Sequence, residues 1–311
     1  MRVLVTGGAG FIGSNLVHAL VGSHEVGVID DLSTGHAENL HPAAWNRTMD
    51  ILDELLPAAL AEFTPDAVVH LAAQSSVPRS IVDPVRDWAL NVDGTSRVAA
   101  AAAAAGARRV ISASSAAVYG EPTEIPLKES SPTVPVNPYG SSKLAAEAAL
   151  AEQLGTRGVD YASFRFSNVY GPRQDSHGEG GVVAIFCSEL AADRVPVIHG
   201  SGEQTRDFIY VADVVAAIIS ALEFEGRLAD GVPSGSAYNI STGDEVSING
   251  LANAMRQVAG FYAPYESGTE RAGDVMRSSL DPGKAYETFG WHSVVPLDAG
   301  LGPTFRWFAR S

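Results

Sequence analysis

The chain has 311 residues, 46% of them hydrophobic, with 18% charged and a formal net charge of −15. That length buries a full core and suits one large domain or two fused lobes. The acidic balance repels nucleic-acid phosphates and anionic membranes, so neither is expected as a partner, although a local basic pocket can still hold a small anion.

The chain enters an apolar stretch, Val3–Val5, almost at once, and no n-region or cleavage site precedes it, so secretion is not expected. No run of about 18 apolar residues follows, so no membrane span is expected and a cytoplasmic protein is the natural reading. Arg2–Thr6, Glu25–Asp30, Ala67–Leu71 and Arg109–Ala113 read as short strands, rich in β-branched residues. Phe11–Leu20, Asp53–Phe63 and Asp83–Ala105 read as the helices between them. The alanine run Ala99–Ala105 suits a tightly packed helix end, stopped at Gly106. Strands alternating with helices predict an α/β fold with a doubly wound parallel sheet and right-handed crossovers. From about residue 165 prolines and glycines are more frequent, and Val182–Ala192, Val211–Phe224 and Ile248–Ala259 read as helices. Cys187, the single cysteine, leaves no disulfide, and His36, His41, His177 and His199 lack metal-like spacing, so no metal is expected.

Gly7-Gly8-Ala9-Gly10-Phe11-Ile12-Gly13 follows the first strand and opens the first helix. Gly7 suits a tight turn, Gly10 a pyrophosphate close to the backbone, and Gly13 close helix–sheet packing. Asp30 ends the second strand, 17 residues after Gly13, where a carboxylate can accept bonds from both adenosine ribose hydroxyls. It would repel a 2′-phosphate, and no arginine stands at 31–36, so NAD is expected rather than NADP. The domain expectation follows: a Rossmann-type NAD-binding part, mainly 1–167, interleaved with a smaller substrate lobe, mainly 168–311.

Further on, Pro138 precedes Tyr139-Gly140-Ser141-Ser142-Lys143. Residues i and i+4 share a helical face, so the ammonium lies near the phenol and should lower its pKa. Tyr139 can then act as a base toward a substrate hydroxyl. Upstream, Ser112-Ala113-Ser114-Ser115-Ala116-Ala117-Val118-Tyr119-Gly120 gives a serine-rich strand end, which also fits a simple turn.

These glycine, serine and Tyr-x-x-x-Lys motifs together resemble the extended short-chain dehydrogenase/reductases, in their NAD-dependent epimerase/dehydratase branch. The resemblance implies catalytic Tyr139, Lys143 and Ser115. It implies cofactor contacts at Gly7, Gly10, Phe11, Ile12, Asp30, Asp31, Asp50, Ile51, Leu71, Ala72, Ala73, Gln74, Asn91, Ser114, Tyr139 and Lys143. Asp50 also fits a helix cap and Asn91 a buried amide.

The same strand end separates reactions within the family. Dehydratases of the branch carry an Asp-Glu pair directly after the hydroxyl residue, and decarboxylases a glutamate at the second position. Ala116 and Ala117 stand there in this chain. Asn168-Val169-Tyr170-Gly171-Pro172-Arg173-Gln174-Asp175, with Gly178–Phe186, Thr205–Val214 and Arg271-Ala272-Gly273-Asp274, is similar to bacterial UDP-glucose 4-epimerases across about residues 1–300. That likeness implies a UDP-sugar substrate, tightly held NAD, and Ser75, Ser115, Tyr139, Asn168, Val182, Val197, Arg206, Arg271, Asp274 and Ser278 as substrate-binding residues. Arg206 and Arg271 can converge on the diphosphate, or pair with Asp207 and Asp274. Asp207 and Asp213 read as structural, Asp213 as a helix cap.

UDP-glucose/UDP-galactose is the first expectation. Ser278, small where related enzymes restricted to plain hexoses carry a tyrosine, leaves UDP-N-acetylhexosamines open. Ser75, Ser76 and Arg79 leave UDP-glucuronate open, although a polar turn is the preferred reading. The alternatives of other kinds are a nucleotide-sugar 4-reductase or dehydrogenase releasing NADH, and an NAD-sensing regulator without chemistry. The family resemblance also implies a homodimer through the Asp83–Ala105 and Tyr139–Leu154 helices.

Overall fold

The structure, a computed structural model, describes residues 1–176, 181–229, 236–270 and 275–310. The first half lays down strands and crossovers in strict alternation. Strand β1 (Arg2–Thr6) leads through α1 (Phe11–Leu20) to β2 (Glu25–Asp30), β3 (Trp45–Thr48), α2 (Leu56–Phe63) and β4 (Ala67–His70). Helices α3 (Val77–Val82) and α4 (Pro84–Trp88) then meet α5 (Gly94–Ala104) through a π turn, and β5 (Arg109–Ser115), α6 (Pro138–Gly155) and β6 (Asp160–Phe166) follow. The helix expected from Asp83 to Ala105 is therefore interrupted at Ala89–Asp93. The helix expected from Asp53 starts only at Leu56, because the Asp53 carboxylate accepts the Leu55 N–H in a tight turn.

The second half is lighter. It runs β7 (Asn168–Tyr170), α7 (Val182–Ala191), β8 (Val197–His199), β9 (Thr205–Arg206), β10 (Phe208–Tyr210) and α8 (Val211–Glu223). The remainder is β11 (Ala237–Ile240), β12 (Val246–Ser247), α9 (Ile248–Ala259), β13 (Glu266–Gly268), α10 (Gly283–Phe289) and α11 (Leu297–Phe308).

The central sheet has seven strands in the order β11-β6-β5-β4-β1-β2-β3, every pair parallel. Alternate residues of β1 serve opposite faces. Val3 and Val5 pack with Leu16 and Val17 of α1 and with Val214 and Ile218 of α8. Leu4 packs with Leu60, Val98 and Ala102, under α2 and α5. Ala99 and Ala102 are wholly buried, and their small side chains let α5 lie close to its neighbours. Both α8 and β11 come from the second half, β11 as an edge strand of this sheet and α8 packed on its face. A separate core of Phe186, Leu190, Leu251, Met255 and Leu301 holds α7, α9 and α11 together.

Candidate active site

The strand order reverses between β1 and β4, and there the carboxyl ends of the strands open a groove. Gly7 turns out of β1 with φ 73°, and a Cβ on Gly13 would lie 2.0 Å from the Gly7 carbonyl oxygen. No side chain caps α1 at Gly10, which leaves the helix N-terminus facing the groove. The Asp30 carboxylate bridges this turn to the next loop, accepting from the N–H of Ala9 at 2.9 Å and of Leu32 at 2.8 Å. Burial holds that carboxyl above the usual carboxylate range, against the pull of the two N–H bonds. Each oxygen keeps a second lone pair for a ribose hydroxyl, so the residues fit a nicotinamide dinucleotide.

Most of the expected cofactor residues line this one groove: Gly7, Gly10, Phe11, Ile12, Asp30, Asp31, Asp50, Ile51, Leu71, Ala72, Ala73, Ser114, Tyr139 and Lys143. The Asp50 carboxylate accepts from Leu52 N–H and lies 3.5 Å from Arg86, so it caps a turn and not a helix. Two residues stand elsewhere. Gln74 lines an adjoining groove, and its amide is spent on Ser76 and Asp87. Asn91 lies in the π turn, 1% exposed, bonded to the Gln74 backbone, Asp87 and Ser142. That matches the alternative reading of Asn91 as a buried amide.

Tyr139 occupies the first turn of α6. Asn137 caps that helix by accepting the Gly140 N–H at 2.8 Å, and Ser80 of α3 accepts the Tyr139 N–H at 3.1 Å. A Cβ at Gly140 would come within 2.5 Å of the Ala117 carbonyl, so α6 can seat on the turn after β5 only with glycine there. Ser115 faces the Tyr139 phenol and favours its ionised form. Lys143, 5% exposed, donates to the Ala113 carbonyl at 3.1 Å, with its Nζ 5.9 Å from the centre of the Tyr139 ring.

The expected lowering of the phenol pKa is overturned. Burial pushes Tyr139 up to about 12, with Ser115 pulling down and Asp87 pushing further up. Burial also pulls Lys143 down to about 8, against the carboxylates of Asp87 and Glu147. Helical spacing places the two groups side by side, but desolvation dominates the acidity of each.

Ser114 donates to Glu147 at 2.6 Å, and Glu147 forms a bidentate pair with Arg165, with both members of the pair buried. His70, wholly enclosed between Thr6 and Thr95, is pushed down to about 3 by burial.

The substrate candidates are more scattered. Ser75 lines both grooves. Asn168 is exposed on β7, Val182 begins α7, Val197 begins β8, and Ser278 is half-buried. Arg206 on β9 donates to the Thr205 and Val275 carbonyls. His177, Gly178–Gly180, Arg271 and Asp274 lie outside the described residues. Asp207 is structural, its carboxylate taking the N–H groups of Thr242 and Gly243. Asp213 is not the cap of α8, which is Tyr210; its carboxylate instead accepts the Val295 N–H. Ser76 caps α3, so the expected polar turn at 75–79 is a helix start. Ser33, Thr34, Met49, Leu90, Ala113 and Phe166 also line the cofactor groove and escaped the sequence reading, although each neighbours a strand end or a residue already singled out.

A doubly wound sheet with a glycine turn at its switch point and a Ser, Tyr and Lys at the groove's far end defines an extended short-chain dehydrogenase/reductase. The chain matches the NAD dependent epimerase/dehydratase family over residues 3–241. It is 44% identical to UDP-glucose 4-epimerase of Mycolicibacterium smegmatis, covering 99% of this chain and 98% of that one. UDP-glucose 4-epimerase of Thermotoga maritima, solved with UDP-glucose, gives a TM-score of 0.94 at 37% identity, covering 100% of this chain and 99% of that one. UDP-N-acetylglucosamine 4-epimerase of Methanobrevibacter ruminantium gives 0.92 at 34% identity, covering 99% and 97%. The chain belongs to the NAD-dependent epimerase/dehydratase family, and NAD is its cofactor. Among the described residues no group of His, Cys, Asp or Glu could hold a metal, and no helix is long and apolar enough to cross a membrane.

Proposed function

We propose that this protein is a UDP-sugar 4-epimerase, acting on UDP-glucose and UDP-galactose by transient oxidation at C4. The observation that carries the reading is the wall beside the phenol. Ser115 meets Tyr139, but the turn that follows offers only the methyl groups of Ala116 and Ala117. The site can move a proton at one hydroxyl and lacks the acid and base that elimination or decarboxylation would need beside it. The names of the similar proteins support the same reading.

Tyr139 takes the proton of the sugar O4, and Ser115 holds that oxygen in line. Bound NAD would supply the redox chemistry, accepting hydride from C4 and returning it to the opposite face. Lys143, beside the phenol, steadies the negative charge as it develops there. Arg206 and Arg271 hold the diphosphate, with Asn168 on the sugar side and Val182 and Val197 beside the uracil; Asp274 completes the substrate set. The diphosphate tether lets the ketone turn over without leaving.

A second reading takes an N-acetylhexosamine, favoured by small, half-buried Ser278 and by the UDP-N-acetylglucosamine 4-epimerase among the similar structures. A homodimer through α4, α5 and α6 is part of the proposal, with α3 beside them. Its support is the exposed apolar row Ile81, Val82, Val85 and Trp88, at 63%, 86%, 78% and 46% exposure. Light scattering at the mass of one chain would count against it.

Incubation with UDP-galactose and no added reductant should yield UDP-glucose without net NADH, and a panel of UDP-hexoses, N-acetylhexosamines and uronates ranks the sugars. Stoichiometric NADH would mark a dehydrogenase instead. Tyr139→Phe should lose roughly a thousandfold or more in kcat while NAD stays bound.

A further inference from the structure

Two buried carboxylates flank the proton-handling pair, and they are satisfied very differently. Glu147 is neutralised by Arg165 and bonded by Ser114. Asp87 on α4 is 1% exposed, and its contacts are amides on one oxygen only: Gln74 Nε2 at 2.6 Å and Asn91 Nδ2 at 3.2 Å. Its second oxygen, Oδ2, is buried with no hydrogen-bond partner. A carboxylate left half-bare in a dry site is costly unless another charge answers it.

The charges that face it can be named. From α6 come Tyr139 and Lys143, both in Coulombic interaction with Asp87, and Glu147 one turn further, already paired. Arg79 lies on α3, which packs against α4. On its own helix Arg86 turns to Asp50 at 3.5 Å, and the Asp83 carboxylate caps that helix by accepting the Arg86 N–H. Asp93 closes the π turn beyond. The amide bonds also tie Asp87 to both walls of the groove. Gln74 precedes Ser75 of the groove lining, and Asn91 bonds Ser142, next to Lys143 on α6.

We propose that Asp87 is a positioning residue of the reaction: its amide-bonded oxygen aligns the Ser75 loop with α6, and its bare oxygen supplies the negative charge against which Tyr139 and Lys143 share the O4 proton. This rests on the assignment of Tyr139 and Lys143 as the proton-handling pair. The charge has a definite sign of effect. It resists phenolate formation and favours the ammonium, so its removal moves both ionisations toward acid.

The test is the pH profile of kcat in the NAD-loaded enzyme. Asp87→Asn keeps an acceptor for Gln74 and removes the charge. Both limbs of its profile should move to lower pH by roughly one unit. Asp87→Glu, which keeps the charge, should retain the wild-type limbs even where kcat falls. Asp87→Ser is a second charge-free variant, with the same shift expected should Asp87→Asn fail to fold. The tyrosinate absorbance lost in Tyr139→Phe gives a readout independent of turnover, and it should appear at lower pH in the charge-free variants. Reduced kcat on unmoved limbs would leave Asp87 a mere brace and overturn the proposal. Normal turnover of Tyr139→Phe would instead sink the underlying assignment, so the two failures are distinct.

Discussion

The cofactor end and the sugar end of this cleft are built to different standards. At the cofactor end the anchoring groups hang from the termini of central strands: Gly7 after β1, Asp30 at the end of β2, Leu71 after β4, Ser114 near the end of β5. Neighbouring strands fix those termini in register, Thr6 opposite Ile29 and His70. At the sugar end the candidates sit on short pieces, such as β8 with three residues and β9 with two. Backbone approach is the limiting quantity at the first end and side-chain reach at the second. The first should tolerate almost no change, and the second should tune affinity in steps.

The harshest way to break that contrast is a single methyl group. Gly13→Ala would put its Cβ 2.0 Å from a backbone oxygen that cannot move without reshaping the turn. A loss of about 3 kcal/mol is expected, together with failure to retain NAD; chemical denaturation and the nucleotide content of purified enzyme measure both. Arg206→Ala at the sugar end should act more gently. The KM for UDP-sugar should rise roughly 10- to 100-fold, the worth of a charge-assisted bond, with NAD content unchanged. Equal damage to NAD binding would show that the two ends are not independent.

The last effect is spread over pH and is smallest per pH unit. His70, with hydroxyl partners on both ring nitrogens, is held down to about 3 from its ordinary 6.5. Below pH 6.5 the unfolded chain takes up a proton that the folded chain refuses, so stability present above that pH is lost as the pH falls toward about 3. The slope is roughly 1.4 kcal/mol per pH unit, and His70→Gln should remove that share of it in urea titrations at stepped pH. An unchanged slope would place the acid sensitivity elsewhere.

The same contrast decides what could be read from the letters. Gly7, Gly10, Gly13 and Asp30 were legible because strand–turn–helix geometry allows those residue types few other uses. Tyr139 and Lys143 were legible as neighbours from helical spacing, but not in their acidity, since spacing says nothing of how dry the packed site becomes. Asn91 was singled out with two readings open, and only the fold shows its amide bonded to Gln74 and Ser142. Asp87 was invisible. An acidic residue near a helix start is ordinarily a solvated cap, and only packing against α6 buries it. At the sugar end, Val182, Val197 and Ser278 could be named only by likeness, since loops and two-residue strands carry no periodicity to place a side chain.

The central claim is that C4 is oxidised and re-reduced within one closed site, with its hydrogen never released. UDP-galactose carrying deuterium at C4 measures this directly. Product UDP-glucose should hold the deuterium at C4 in full, in ordinary water and without added reductant. Product that had exchanged its label with solvent would contradict the account.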